Sequence, residues 1–204
     1  MPRLVRSRRR SPVANLIAAV LALAAWAAGI TAGTATPHGK RPAGVDLTPL
    51  YLLTTQHGAR LGRDRLKGRP AAVFFGYTHC PDICPTTLLE MTQHLEVLGA
   101  DADRLDVLFV TVDPERDTAA HLKEYIGSFD HRITALTGTQ LEIAAAVHAF
   151  GATYDKVVAK DGGYTMDHTT KVFLLDRYGL VASHLERRQS QKEQRQILLR
   201  LLAQ

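Results

Sequence analysis

The stretch Gly76-Tyr77-Thr78-His79-Cys80-Pro81-Asp82-Ile83-Cys84-Pro85-Thr86-Thr87 holds the only two cysteines of this 204-residue chain. It follows the apolar run Ala71-Ala72-Val73-Phe74-Phe75 and precedes the amphipathic run Leu88-Leu89-Glu90-Met91-Thr92-Gln93-His94-Leu95. A strand therefore delivers two thiols to the start of a helix. Unpaired backbone N–H groups and the helix dipole favour negative charge there, so sulfur is readily made a thiolate.

The elements around this stretch alternate. Ala71 to Tyr77 is apolar without alternation, as in the middle of a sheet, and Leu105 to Val112 repeats the pattern. The first helix runs to Gly99, its stop signal, and the turn Asp113 to Thr118 leads into a helix from Ala119 to Phe129. Ile133 to Leu136 reads as a short strand. Thr139 to Phe150 reads as a helix with Leu141, Ile143, Ala144, Val147 and Phe150 as its apolar set. Tyr154 to Val158 reads as strand and Lys160 to Gly163 as a turn. Lys171 to Asp176 and Leu180 to His184 form a hairpin, and the last helix carries Ile197, Leu198, Leu199, Leu201 and Leu202. Upstream, Leu50 to Thr55 and Ala59 to Leu61 flank Gln56-His57-Gly58 as a hairpin on the domain edge. The order β-α-β-α-β-α-β-β-α predicts an α/β domain, a central sheet covered by helices with an antiparallel edge. A cysteine pair between the first central strand and its helix, with a closing β-β-α unit, points to a thioredoxin-like fold with an N-terminal hairpin extension.

The net charge of +5 is misleading. Five arginines lie in the first ten residues with no acid among them, and the 20 remaining basic residues match the 20 acidic ones. A nucleic-acid surface needs positive charge clustered on the folded domain, so no nucleic-acid partner is expected. Residues 1–12 read as a basic cytoplasmic tail. Val13 through Ala35 has no charged residue and is long enough for a transmembrane helix, which takes about 20 residues. A cleaved signal peptide competes, since Thr31 to Ala35 supplies small residues for a peptidase; the length of the run favours a retained anchor. Arginines before the run place the N-terminus inside. The folded domain, residues 50–204 after a linker at 36–49, is then on the periplasmic side of a bacterial inner membrane, an oxidising compartment.

Cys80 and Cys84 stand four apart, close enough on one helical turn to oxidise to a disulfide or to clamp one ion. Pro85 cannot donate to the carbonyl at position 81, so regular helix is expected to start near Pro85, with Cys80 to Cys84 in a tight loop or irregular turn. A soft ion such as Cu(I) takes a third ligand, and thiolates with an imidazole suit copper. In a thioredoxin-like fold the segment entering the strand Lys171 to Asp176 faces the cysteine turn, and His168 sits there. On the residues alone, an ordinary turn histidine competes with that role. His79 adjoins Cys80, but neighbouring side chains at a strand end diverge. His94, His121 and His148 fall on helices as surface or core residues, Asp82 faces solvent, and Arg116 and Asp117 make turn and cap contacts.

The cysteine stretch, Val112-Asp113-Pro114-Glu115-Arg116-Asp117-Thr118, Leu136-Thr137-Gly138 and Asp167-His168-Thr169-Thr170 together resemble the Sco/SenC family, over about Leu50 to Leu185. The resemblance implies a membrane-tethered copper protein that assists assembly of the dinuclear copper site in subunit II of cytochrome c oxidase. It implies Cys80, Cys84 and His168 as ligands of a copper ion, Cu(I) or Cu(II), and brings Asp113 to the same sheet edge as the cysteines. Lys171 departs from the pattern, and pointed at the site its charge would weaken copper binding. Two functions use the same thiols: a copper metallochaperone, and a thiol–disulfide reductase in which Cys80 and Cys84 are the redox dithiol. Other copper or thiol–disulfide proteins are further expected partners. A peroxidase needs an arginine at the reacting cysteine, and none stands near the stretch in sequence.

Overall fold

β2 (Ala71–Gly76) is buried at every residue and stands near the middle of a six-stranded sheet. The computed structural model describes residues 44–159 and 162–204. The expected tail, membrane span and most of the linker lie outside the described residues, as do Lys160 and Asp161 of the expected turn. Among the described residues, no helix is long and apolar enough to cross a membrane.

In chain order the elements are α1 (Thr48–Tyr51), β1 (Thr54–Thr55), β2, α2 (Ile83–Leu98), β3 (Asp106–Thr111), α3 (Ala119–Ile126), β4 (Ile133–Thr137), α4 (Gln140–Ala149), β5 (Tyr154–Val158), β6 (Tyr164–His168), β7 (Val172–Leu175), β8 (Val181–Leu185) and α5 (Gln191–Leu202). The sheet order is β1-β4-β3-β2-β7-β8, with β5 and β6 paired separately. β2, β3 and β4 run parallel. β7 lies antiparallel to β2, with Val73 opposite Phe173 and Ala71 opposite Leu175. That direction sets the functional geometry: the end of β2 that delivers the cysteines lies beside the beginning of β7, so the segment entering β7 reaches the cysteine loop.

Alternate residues of the buried strands feed two cores. Val73, Phe75, Leu108, Val110 and Phe173 face α1 and α4, whereas Ala72, Phe74, Val107, Phe109 and Leu174 face α2, α3 and α5. Leu88, Met91, Leu95 and Leu98, spaced three and four apart, are the buried stripe of α2. Thr118, Thr139 and Ser190 cap α3, α4 and α5 through their hydroxyls, the last two in capping boxes with Glu142 and Glu193.

Several expectations are corrected. The N-terminal hairpin is shorter than its apolar pattern, because Pro49 near the start of α1 suits a helical turn and lacks the N–H a strand would need. The turn at Gln56 to Gly58 is present, with Gly58 at φ 82° and Thr54 bridged to Arg60. The chain already rests on the domain from Val45, whose N–H donates to the Gly179 carbonyl. α2 starts at Ile83, two residues before Pro85, which fits because proline is tolerated throughout a first helical turn. α3 ends at Ile126 rather than Phe129. Leu141 is 83% exposed and Ala146 takes its place in the α4 core stripe. β6 was not expected as a strand: only Met166 of its five residues is buried, so no apolar run marks it.

Gly76, the last residue of β2, has no room for a side chain. A Cβ there would stand 2.6 Å from Phe109 Cε2 and 2.8 Å from Cys84 Sγ. Gly76→Ala is expected to destabilise the domain by about 1–3 kcal/mol through overpacking and to displace the Cys84 thiol. Chemical denaturation checks the first effect, and an unchanged midpoint would contradict it.

Candidate metal centre

The cysteine loop is held by its own backbone and by sulfur. The Cys80 N–H donates to the Tyr77 carbonyl at 3.3 Å, and the Thr86 N–H to the Asp82 carbonyl at 3.2 Å. Asp82 stands at the N-cap of α2 without a side-chain capping bond. The Cys84 N–H instead donates to Cys80 Sγ at 3.4 Å. A sulfur that accepts from a helix's first free N–H groups is placed where negative charge is favoured. Both cysteines are free thiols, Cys80 half-buried and Cys84 buried.

His168 closes the site. As the last residue of β6 it pairs with Tyr154 in the hairpin. Its Nδ1 lies 3.0 Å from the Thr169 carbonyl, which can only accept, so Nδ1 carries the hydrogen and Nε2 keeps its lone pair. That Nε2 stands 3.6 Å from Cys84 Sγ. The ring meets Tyr77 edge-on at 5.9 Å. One donor atom each from Cys80, Cys84 and His168 lie within 4.8 Å of one another. A cleft of about 320 Å³ opens over them, lined by Tyr77, Cys80, Pro81, Ile83, Met166 and His168 among others.

Burial keeps Cys84 and His168 in their uncharged forms, so Cys84 is not the readily formed thiolate that a helix start favours. Burial pushes the Cys84 thiol well above its ordinary value, partly offset by a bond from the Tyr77 backbone. Burial also holds the His168 imidazole below its ordinary value, offset in part by the Thr169 carbonyl and Asp167. The site therefore presents a neutral imidazole and, at Cys84, a protonated thiol whose proton an incoming ion must displace. Two sulfurs and one imidazole nitrogen are a soft donor set, of the kind that suits copper better than magnesium or calcium.

The three site residues named from sequence are thus brought together. His79 is not among them; its exposed ring stands against His121, centroids 5.7 Å apart. Lys171 lies over the Phe173 ring at 5.0 Å, and its charge acts on His184, whose imidazole is held below the ordinary value by burial first and by Lys171 second. His94 is fully buried with Nε2 2.8 Å from Gln194 Oε1, a core residue, and His148 is exposed. Asp113 does reach this end of the sheet, but its carboxylate is engaged, accepting from the Tyr164 hydroxyl at 2.9 Å and from Arg116 Nε.

Sequence reasoning gave Arg116 and Asp117 too small a role. Asp117 is fully buried and accepts from Thr78 N–H at 3.0 Å, the Thr78 hydroxyl at 2.6 Å and the Thr111 hydroxyl at 2.5 Å, tying the cysteine loop to β3. Arg116 stacks on Tyr164 at 3.7 Å and donates to its carbonyl at 3.2 Å, latching the β5–β6 hairpin that carries His168. It also lies 5.8 Å from the Tyr77 ring. An arginine thus does approach the cysteine stretch in space, with its Nε and Nη1 committed to Asp113 and Tyr164. The alternation Tyr164-Thr165-Met166-Asp167 was the available signal for that hairpin.

Fold and cluster together define a class: thioredoxin-like α/β domains with a Cys-x-x-x-Cys pair and a facing histidine. Residues 40–203 match the SCO1/SenC family model, and the chain belongs to that family. The copper-bound structure of ScoI from Bradyrhizobium japonicum is 43% identical, covers 74% of this chain and 96% of that one, and superposes with a TM-score of 0.69. Copper-bound yeast Sco1 is 30% identical over 74% of this chain and 85% of its own, with a TM-score of 0.67. An SCO2-like protein of Rickettsia conorii is 37% identical over 152 residues, 72% of this chain and 73% of that protein.

Because burial lowers the His168 pKa, its ring in the metal-free protein is expected to titrate below 6.5. The unfolded chain then takes up this proton first. The ring's contribution to stability is full above about pH 6.5 and is lost as pH falls through the folded value. NMR titration of His168 checks this, and a midpoint at or above 6.5 would contradict it.

Proposed function

We propose that this chain binds copper through Cys80, Cys84 and His168 and hands it to the dinuclear copper site of cytochrome c oxidase subunit II. The observation that carries the reading is the convergence of two thiol sulfurs and one unprotonated imidazole nitrogen within 4.8 Å, in a chain of the SCO1/SenC family. Residues 13–35 tether the chain to the bacterial inner membrane, and the domain works on the periplasmic side. The apolar run and the arginines that precede it support that placement.

Handover follows from the asymmetry of the site. Cys80 is half-exposed at the cleft and Cys84 is buried behind it. A partner sulfur or imidazole enters from the Cys80 side and takes over one coordination position while Cys84 and His168 still hold the ion. Three-coordination leaves room for that incoming ligand, so exchange needs no prior dissociation. Loading displaces thiol protons, so affinity rises with pH.

A second reading is favoured by the same asymmetry. A reachable thiol beside a buried one is the arrangement of a thiol–disulfide reductase, in which Cys80 attacks a partner disulfide and Cys84 resolves the mixed disulfide. The chain would then keep partner cysteines reduced for metallation.

His168→Ala separates the two. It is expected to weaken copper affinity by more than the 10–100-fold typical of losing an outer-shell partner, while thiol–disulfide exchange stays within a few-fold of the parent. Competition titration against a copper chelator and a disulfide-reduction assay read the two properties. Unchanged copper affinity would remove His168 from the site.

A further inference from the structure

One residue along the chain from Cys80 begins a second convergence of metal-ligating groups. His79, Asp117 and His121 each bring one donor atom within 4.8 Å of the others. We propose that these three residues form a separate site for a divalent transition-metal ion, with divalent copper as its best occupant. The inference does not rest on the thiol site, because no sulfur takes part.

The rings have the right spacing. A metal–nitrogen bond of about 2.0–2.1 Å plus the ring radius puts each centroid about 3.2 Å from the ion, so two rings on one ion stand roughly 5–6.4 Å apart. The His79 and His121 centroids are 5.7 Å apart with their planes at 35°. Asp117 supplies the charge. Its Oδ2 is fixed by the Thr78 N–H and the Thr111 hydroxyl, while Oδ1 accepts only from the Thr78 hydroxyl and keeps a lone pair. A carboxylate held in this way is oriented before the ion arrives, as second-shell bonds orient ligands in metal sites.

The Thr78 hydroxyl marks the point of convergence. Its oxygen lies 3.0 Å from His79 Nδ1, 3.1 Å from His121 Nε2 and 2.6 Å from Asp117 Oδ1. Its one proton goes to the carboxylate, so the two ring nitrogens donate to it. Binding requires each neutral ring to move its proton to the far nitrogen, a tautomer change with no net loss of protons. The Thr78 side chain then turns aside or joins as a fourth, neutral ligand. His79 is exposed and His121 half-buried, so an ion reaches the site from solvent. Three protein ligands leave a position open for water.

The donor set decides the ion. Two imidazoles and one carboxylate suit Cu(II) or Zn(II), and among divalent first-row ions Cu(II) binds such sites most tightly. Next to a thiol pair suited to Cu(I), this places capture of the other oxidation state one residue from Cys80.

The test uses the full chain carrying Cys80→Ser, Cys84→Ser and His168→Ala, titrated with Cu(II) and read by electron paramagnetic resonance. One tight equivalent is expected, with hyperfine structure from two nitrogens. Adding His79→Ala or His121→Asn is expected to weaken that equivalent at least tenfold and remove one nitrogen from the spectrum. The asparagine is polar and smaller than the imidazole it replaces, and His79 is exposed, so folding is preserved on both routes. No bound equivalent, or one that neither substitution disturbs, overturns the proposal. The chain with only His79→Ala and His121→Asn should still take one Cu(I), so failure here is distinguishable from failure of the thiol site.

Discussion

His168 and Cys84 are separated by 84 residues in sequence and by 3.6 Å between Nε2 and Sγ. No local interaction closes such a gap. It is closed by the antiparallel pairing of β7 with β2, which lays the entry of one strand beside the exit of the other. The register matters as much as the direction, because a slip of one residue would turn every side chain of β7 to the opposite core. Phe173 between Phe75 and Phe150 on one face, and Val172 and Leu174 on the other, hold it in place.

Two buried carboxylates reinforce that arrangement. Asp113 and Asp117 lie at the end of β3, 2% and 0% exposed. A buried carboxylate is costly unless it is fully bonded. Asp117 receives three donors, two of them from Thr78, so the same bonds that satisfy the charge fix the loop that carries the cysteines. Asp113 receives the Tyr164 hydroxyl and Arg116, fixing the hairpin that carries the histidine. The two halves of the metal centre are thus anchored to one turn, and their spacing does not depend on an ion to set it. Burial then keeps the imidazole neutral and leaves the buried thiol protonated until a cation replaces the proton.

Much of this was legible in the residues. The unalternating runs at Ala71 and Leu105 read as interior strands, and the apolar sets of α4 and α5 as helices. The thioredoxin-like topology then carried His168 to the cysteines. What escaped was structure that no apolar run marks. β6 is mostly exposed and short, α1 is a single turn set by Pro49, and Leu141, about 200° round the helix from Ile143, falls off the buried stripe of Ile143, Ala146 and Val147. The block from Asp113 to Thr118 is legible as a turn, and the resemblance brings Asp113 to the cysteine end of the sheet, but nothing in the block shows what its two carboxylates hold. Their true partners, Thr78, Thr111 and Tyr164, are defined only once β2 lies beside β3 and the hairpin folds over.

Copper K-edge X-ray absorption on the reduced protein loaded with one equivalent of Cu(I) tests the central geometry most directly. The account predicts a three-coordinate shell of two sulfurs and one imidazole nitrogen, the nitrogen vanishing when His168 is replaced. A shell of sulfur alone, or one whose nitrogen survives that replacement, would contradict it.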